Sequence, residues 1–207
     1  MAITLNGGTG VITGVAVGGL PDGIVDAGTL ATNSVDSDEL INGAIDAGHL
    51  ASGVGGKVLQ IVSNLSGASQ TGTTVMNVDN TIPQITEGDE YYTLAITPAS
   101  TSNTLEITCQ FQIENNGGAR LLTGALFNTD SHSTNALASA SDYAPTGGRM
   151  HRLVFTHVMT APSASSTTFR LRGGAETSGT TGINRHNASL FFNGTMRSGI
   201  IIKEYSA

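Results

Sequence analysis

The chain is predicted to be all-β, with an N-terminal repetitive oligomeric shaft followed by an antiparallel, jelly-roll-like β-sandwich head. Three observations predict this. Charged residues are only 12% of the 207 residues, 27 residues are glycine and tryptophan is absent, a composition poor in helix formers and bulky core residues. The composition also breaks at Lys57, the first basic residue, before which there is no Phe, Tyr, Trp or Cys. Beyond Lys57 the apolar residues recur at every second position, the period of a strand.

Residues 1–14 carry the glycine-rich element Asn6-Gly7-Gly8-Thr9-Gly10, expected to be a turn or a docking segment. No convincing strand is expected before it and no helix after it, and no GK[ST] follows, so a phosphate loop is excluded. Residues 15–56 repeat every ten: β-branched residues stand at Val15, Val25, Val35 and Ile45, and leucines at Leu20, Leu30, Leu40 and Leu50. Asp26, Asp36 and Asp46 follow their anchors directly. Ten is neither a heptad nor an eleven-residue period, so a coiled coil is disfavoured. Two apolar anchors per decad cannot build a core within one chain, but identical chains around an axis would bring them together in layers. The alternative is a flexible glycine-rich linker with an accidental period.

Residues 57–207 form the expected head. Strands are predicted at 57–63, 73–78, 91–97, 103–114, 119–127, 149–160, 167–173, 189–197 and 199–205. The clearest alternation sets Leu105, Ile107, Cys109, Phe111 and Ile113 against Glu106, Thr108, Gln110, Gln112 and Glu114. Loops are expected at 63–72, 129–148, 161–166 and 176–187, and eight or nine strands with uneven loops point to a sandwich. Cys109, the only cysteine, falls on the apolar face and reads as core; alone it excludes an internal disulfide or a zinc-ribbon site.

A net charge of −7 argues against nucleic acid or an anionic membrane as partner. The segment MAITLNGG lacks the features of a secretory signal, and no run is apolar enough to span a bilayer, so cytoplasmic synthesis and no membrane insertion are expected. No catalytic site, cofactor or metal is expected. No GxSxG elbow is present, no acidic pair stands out, and Asp36 and Asp38 lack the rest of a calcium loop. His151 and His157 share a strand face but stand about 20 Å apart, too far for one metal within a chain. The sequons at Asn64, Asn187 and Asn193 carry little weight without a secretory signal. Arg170 and Arg172 share a face, while Arg149, Arg152, Arg185 and Arg197 fall at strand ends or loops. Such arginines bind acidic glycans or pair with acids between subunits.

The Asn-Gly-Gly-Thr-Gly element, the decads Val25–Ala31 and Ile45–Ala51, the junction Gly56–Gln60 and the closing strand Ser198–Ala207 together resemble tail-fibre and head-fibre proteins of bacteriophages, most in style those of aquatic and cyanobacterial hosts. The resemblance covers essentially the whole chain and carries over no functional residue. It implies a homotrimeric, non-enzymatic virion appendage. Its N-terminus would dock to tail, baseplate or capsid proteins, and its head would meet host cell-surface polysaccharide. Loops carry function on rigid sandwiches, so the expected receptor contacts are Asp130, His132, Asp142 and Tyr143 in the first long loop, with Arg185 and His186 in the second. A capsid-bound head fibre or decoration protein, a depolymerase tip and a bacterial adhesin are the competing readings.

Overall fold

A computed structural model of the chain describes residues 4–6, 11–13, 58–128 and 134–207, the first two stretches by backbone alone. The chain divides into two units, Met1–Gly55 and Gly56–Ala207. The decad repeat at 15–56 lies outside the described residues. In the first unit, β1 (Thr4–Asn6) pairs antiparallel with β2 (Val11–Thr13), Leu5 opposite Ile12. A strand therefore does precede the glycine-rich element, contrary to the sequence expectation. Thr4-Leu5-Asn6 is too short to show a period, so only pairing with β2 reveals it.

The second unit is an antiparallel β-sandwich. Its strands are β3 (Val58–Ser66), β4 (Gln70–Gly72), β5 (Asp89–Ile96), β6 (Thr104–Asn115), β7 (Arg120–Asn128), β8 (Ala138–Ala144), β9 (His151–Thr160), β10 (Thr167–Ala175), β11 (Thr181–Ile183), β12 (Arg185–His186), β13 (Ser189–Leu190) and β14 (Ser198–Tyr205). The first sheet is centred on β6. One edge of β6 pairs with β14 and, further along, with β11; its other edge pairs with β9. Outside them, β3 pairs with β14 and β4 with β11. The second sheet runs β5-β10-β7-β8. Following the long strands, the chain crosses between sheets at every step except β7 to β8, the connectivity of a jelly roll.

The alternation along β6 dictates which face is buried. Leu105, Ile107, Cys109, Phe111 and Ile113 are fully buried, and they meet Tyr91, Tyr92, Leu122, Leu126, Phe169 and Leu171 of the second sheet. Phe111 is the centre: Tyr91 packs edge-on to it at 5.8 Å between ring centroids. Its ring lies across the paired glycines Gly124 and Gly173, where an added Cβ would come within 2.7 and 3.1 Å of it. Only glycine allows the second sheet to approach this closely. Burial pushes the Cys109 thiol up to about 12, so it stays protonated and inert, as its place in the alternation predicts.

Two strand expectations fail for identifiable reasons, and the expected loops 63–72 and 176–187 also contain short strands, β4, β11 and β12. Residues 73–78 form no strand; Met76 instead packs with Ala125 and Phe127 across the second sheet's outer face. Residues 189–197 break into β13 and a 3-10 turn at Phe192–Gly194, because Asn193 and Gly194 both adopt positive φ. The expected loop 129–148 contains β8, whose small polar residues Ala138-Ser139-Ala140-Ser141 hide a strand.

Candidate functional site

The sandwich has two ends of contrasting character. At one end β3 begins and β6 starts at Thr104; at the other, about 35 Å away at 3.3 Å per residue, β6 stops at Asn115. The near end is a closed polar cluster. Glu204 continues the buried row of Ile200 and Ile202 and is fully buried. Its carboxylate accepts from Asn103 Nδ2 at 2.6 Å, the Ala99 amide at 2.8 Å and Gln60 Nε2 at 2.5 Å. Burial works to raise its pKa, and these hydrogen bonds outweigh it, leaving the group below the ordinary carboxylate value.

The far end is assembled by the segment from Asn184 to Arg197, which joins β11 to β14 and contains the β12–β13 hairpin. Buried Asn184 anchors it. Its amide group donates to Ser66 O and Ala68 O at 2.8 and 2.9 Å, its Oδ1 accepts from Ser198 Oγ at 2.8 Å, and its backbone N–H reaches Gln112 O at 2.8 Å. The Asn187 N–H donates to Gly148 O and the Gly148 N–H to Asn115 O, tying in the turn before β9. Beneath the hairpin Glu114 is 3% exposed. Its Oε1 accepts from the Ala188 N–H at 3.0 Å and lies 3.6 Å from Arg185 Nε.

This closure is incomplete. Among the described residues, the buried side-chain polar atoms without a hydrogen-bond partner are Gln112 Oε1, Glu114 Oε2 and Arg185 Nε. All three belong to this corner, since Gln112 and Glu114 alternate on one strand and Arg185 lies against Glu114. Among the described residues, positive φ at non-glycine residues occurs at Asn184, Asn187, Ala188, Phe192 and Asn193, again all in this segment. Such backbone is strained and concentrates at functional sites. Above the hairpin, His186 packs on Phe191 at 5.2 Å and Phe191 on Phe192 at 4.1 Å. Phe192 is 63% exposed.

The structure splits the six expected contact residues. Asp130 and His132 lie outside the described residues. Asp142 and Tyr143 sit on β8 rather than in a loop. Asp142 is occupied by His151 Nδ1 at 2.8 Å, while Tyr143 is exposed. Arg185 and His186 are in the far-end segment, Arg185 donating to Ala188 O at 2.6 Å. Phe191 and Phe192, in an expected strand, and Gln112 and Glu114, on the polar face of β6, are not marked out by residue pattern, although the Asn193-Gly194 dipeptide is a turn signal able to break that strand.

The arginines also divide. Arg170 Nη1 lies 3.0 Å from Glu90 Oε2 and Arg172 Nη1 3.5 Å from the same atom, so both pair within the chain. Arg120 spans the Thr177 and Ser178 carbonyls, with its shorter bond to Ser178 at 2.6 Å. Among the described residues no cluster of three His, Cys, Asp or Glu side chains could hold a metal, and no helix is long and apolar enough to cross a membrane. A cleft of about 370 Å³ is lined by Thr81, Ile82, Pro83 and Ala136 to Ser139, without an ionisable group.

No protein-family model matches the chain, and no curated protein matches it. Among solved structures it is similar to the Eiger TNF of S. frugiperda, with 6% identity over 71% of this chain and 93% of that one, at a TM-score of 0.34. It is also similar to infectious bursal disease virus, Gx strain, with 11% identity over 72% of this chain and 37% of that one, at a TM-score of 0.34. A VP2 subviral particle of the same virus gives 11% identity and a TM-score of 0.28. The chain thus spans under two fifths of those viral chains, 37% and 39%. Its structural neighbours include virus-particle proteins; at these identities and scores nothing about function transfers from them.

Proposed function

We propose that the chain is a virion fibre protein whose N-terminal unit anchors and assembles it and whose sandwich is displayed for attachment to a host surface. One observation carries the reading: a decad repeat unable to form a core within one chain is joined to a separate, compact β-sandwich. Chains that need identical neighbours at every tenth residue assemble coaxially, and a homotrimer is the assembly the fibre resemblance implies. The outer face of the first sheet supports self-association. Val154 and Val158 on β9 and Ile61 on β3 are 48%, 61% and 60% exposed around a field of threonines, with Lys203 and Glu106 neutralising each other at 2.9 Å.

Attachment by such a head gains from multivalency, since several heads on one particle multiply a weak contact. Light scattering on the full chain tests the assembly: about 63 kDa, three times 21.1 kDa, is expected, and a 21 kDa monomer would sink it. Purified full-length protein is further expected to compete with virions for host adsorption. Immunogold labelling separates a tail position from a capsid position.

A further inference from the structure

We propose that the corner formed by residues 184–197 and the start of β9 binds an anionic glycan, with Phe192 as a stacking platform and Arg149, Arg152 and Arg197 receiving its acidic groups. This rests on the attachment reading and names the ligand class of that site. The segment NRHNASLFFNGTMR carries two arginines and a histidine but no acid, in a chain whose net charge is −7. Arg152 stands directly opposite Gln112 in the β6–β9 register, on the same outer face. Arg197 is held beside β6 by the hydrogen bond from Gln110 Nε2 to its carbonyl at 2.9 Å. Arg149 follows Gly148, which bonds to both Asn115 and Asn187. All three arginines are exposed, and none makes a side-chain hydrogen bond or ion pair among the described residues. Arg120, Arg170 and Arg172, elsewhere, are all engaged.

Charge alone would suit any polyanion; the rings narrow the class. Phe191 and Phe192, backed by His186, present an aromatic face beside the exposed amide side chains of Asn187 and Asn193. A pyranose ring offers an apolar C–H face to such a π surface, hydroxyls to the amides and acidic substituents to guanidinium groups. An inorganic phosphate chain or polyglutamate lacks that combination. Beneath this face, buried under the hairpin, Gln112 Oε1 and Glu114 Oε2 have no hydrogen-bond partner, and Arg185 Nε has only the 3.6 Å ion pair with Glu114 Oε1.

The test is calorimetric titration of the full-length protein with oligogalacturonate, dextran sulfate, neutral dextran and polyglutamate. Saturable, salt-sensitive binding of either acidic glycan is expected, with no binding of neutral dextran. Binding of oligogalacturonate alone assigns the recognised group as a carboxylate; binding of dextran sulfate alone assigns a sulfate ester. Phe192→Ala and the double change Arg149→Gln, Arg152→Gln should each weaken binding about tenfold at an unchanged melting temperature. The proposal is overturned if neither acidic glycan binds, or if polyglutamate binds equally well and Phe192→Ala changes nothing. Protein that blocks adsorption but ignores both glycans would leave attachment standing and remove this site. Protein that binds a glycan here without affecting adsorption would do the reverse.

Discussion

Each end of the sandwich buries a glutamate, and the two are treated in opposite ways. Both oxygens of Glu204 are hydrogen-bonded, by two side chains and a backbone amide. Glu114 has one oxygen in use and one without a partner, under a hairpin whose backbone is strained. A buried charge that is completely hydrogen-bonded fixes a conformation, whereas one left half satisfied lowers stability without structural return. The near end is therefore closed by its own hydrogen bonds, whereas the far end, where the glycan site is proposed, keeps a buried carboxylate oxygen without a partner.

That contrast can be broken experimentally. Glu204→Ala would strand the Asn103, Gln60 and Ala99 donors in a dry site. It should cost about 3–4 kcal/mol and lower the melting temperature by roughly 10 °C, measured by calorimetry. Glu204→Gln should cost about 2 kcal/mol at neutral pH, and its signature is in the pH dependence. The folded pKa of Glu204 lies below its unfolded value of about 4.3. Its contribution is thus complete above that value and is lost as pH falls through the folded pKa. The gap between the urea midpoints of wild type and Glu204→Gln should be constant above the unfolded value and narrow as pH falls below it; a gap that stays constant in acid would show that the charge is not what matters.

Smaller effects are expected at the far end. Glu114→Gln keeps an acceptor for Ala188 and places a donor where an oxygen had no partner, so its cost should stay within about 1 kcal/mol. A loss equal to that of Glu204→Gln would erase the distinction between the ends. Phe192→Ala, at a mostly exposed side chain, should move stability by no more than about 0.5 kcal/mol. A larger loss would make the aromatic ladder part of the core.

The sandwich was legible in the sequence wherever a strand is apolar on one face and polar on the other, as β6 is from Leu105 to Ile113. Legibility ended where that contrast fades. The small residues of β8 give no period, and Met76 belongs to a core that only the outer face of the second sheet creates. The far-end corner was half visible. Arg185 and His186 stood out by residue type, but Glu114 and Gln112 looked like ordinary solvent-facing positions of an alternating strand. What buries them is a hairpin arriving from 70 residues further along the chain, and no local pattern announces such a visitor.

The sealed position of Cys109 has a practical side. The sole sulfhydryl is buried and holds its proton well above neutral pH, so alkylating reagents find nothing to attack in the folded sandwich. The molecule therefore behaves as though cysteine-free. A fluorophore or spin label attached through Ser189→Cys would report from the aromatic corner alone, with no background to subtract.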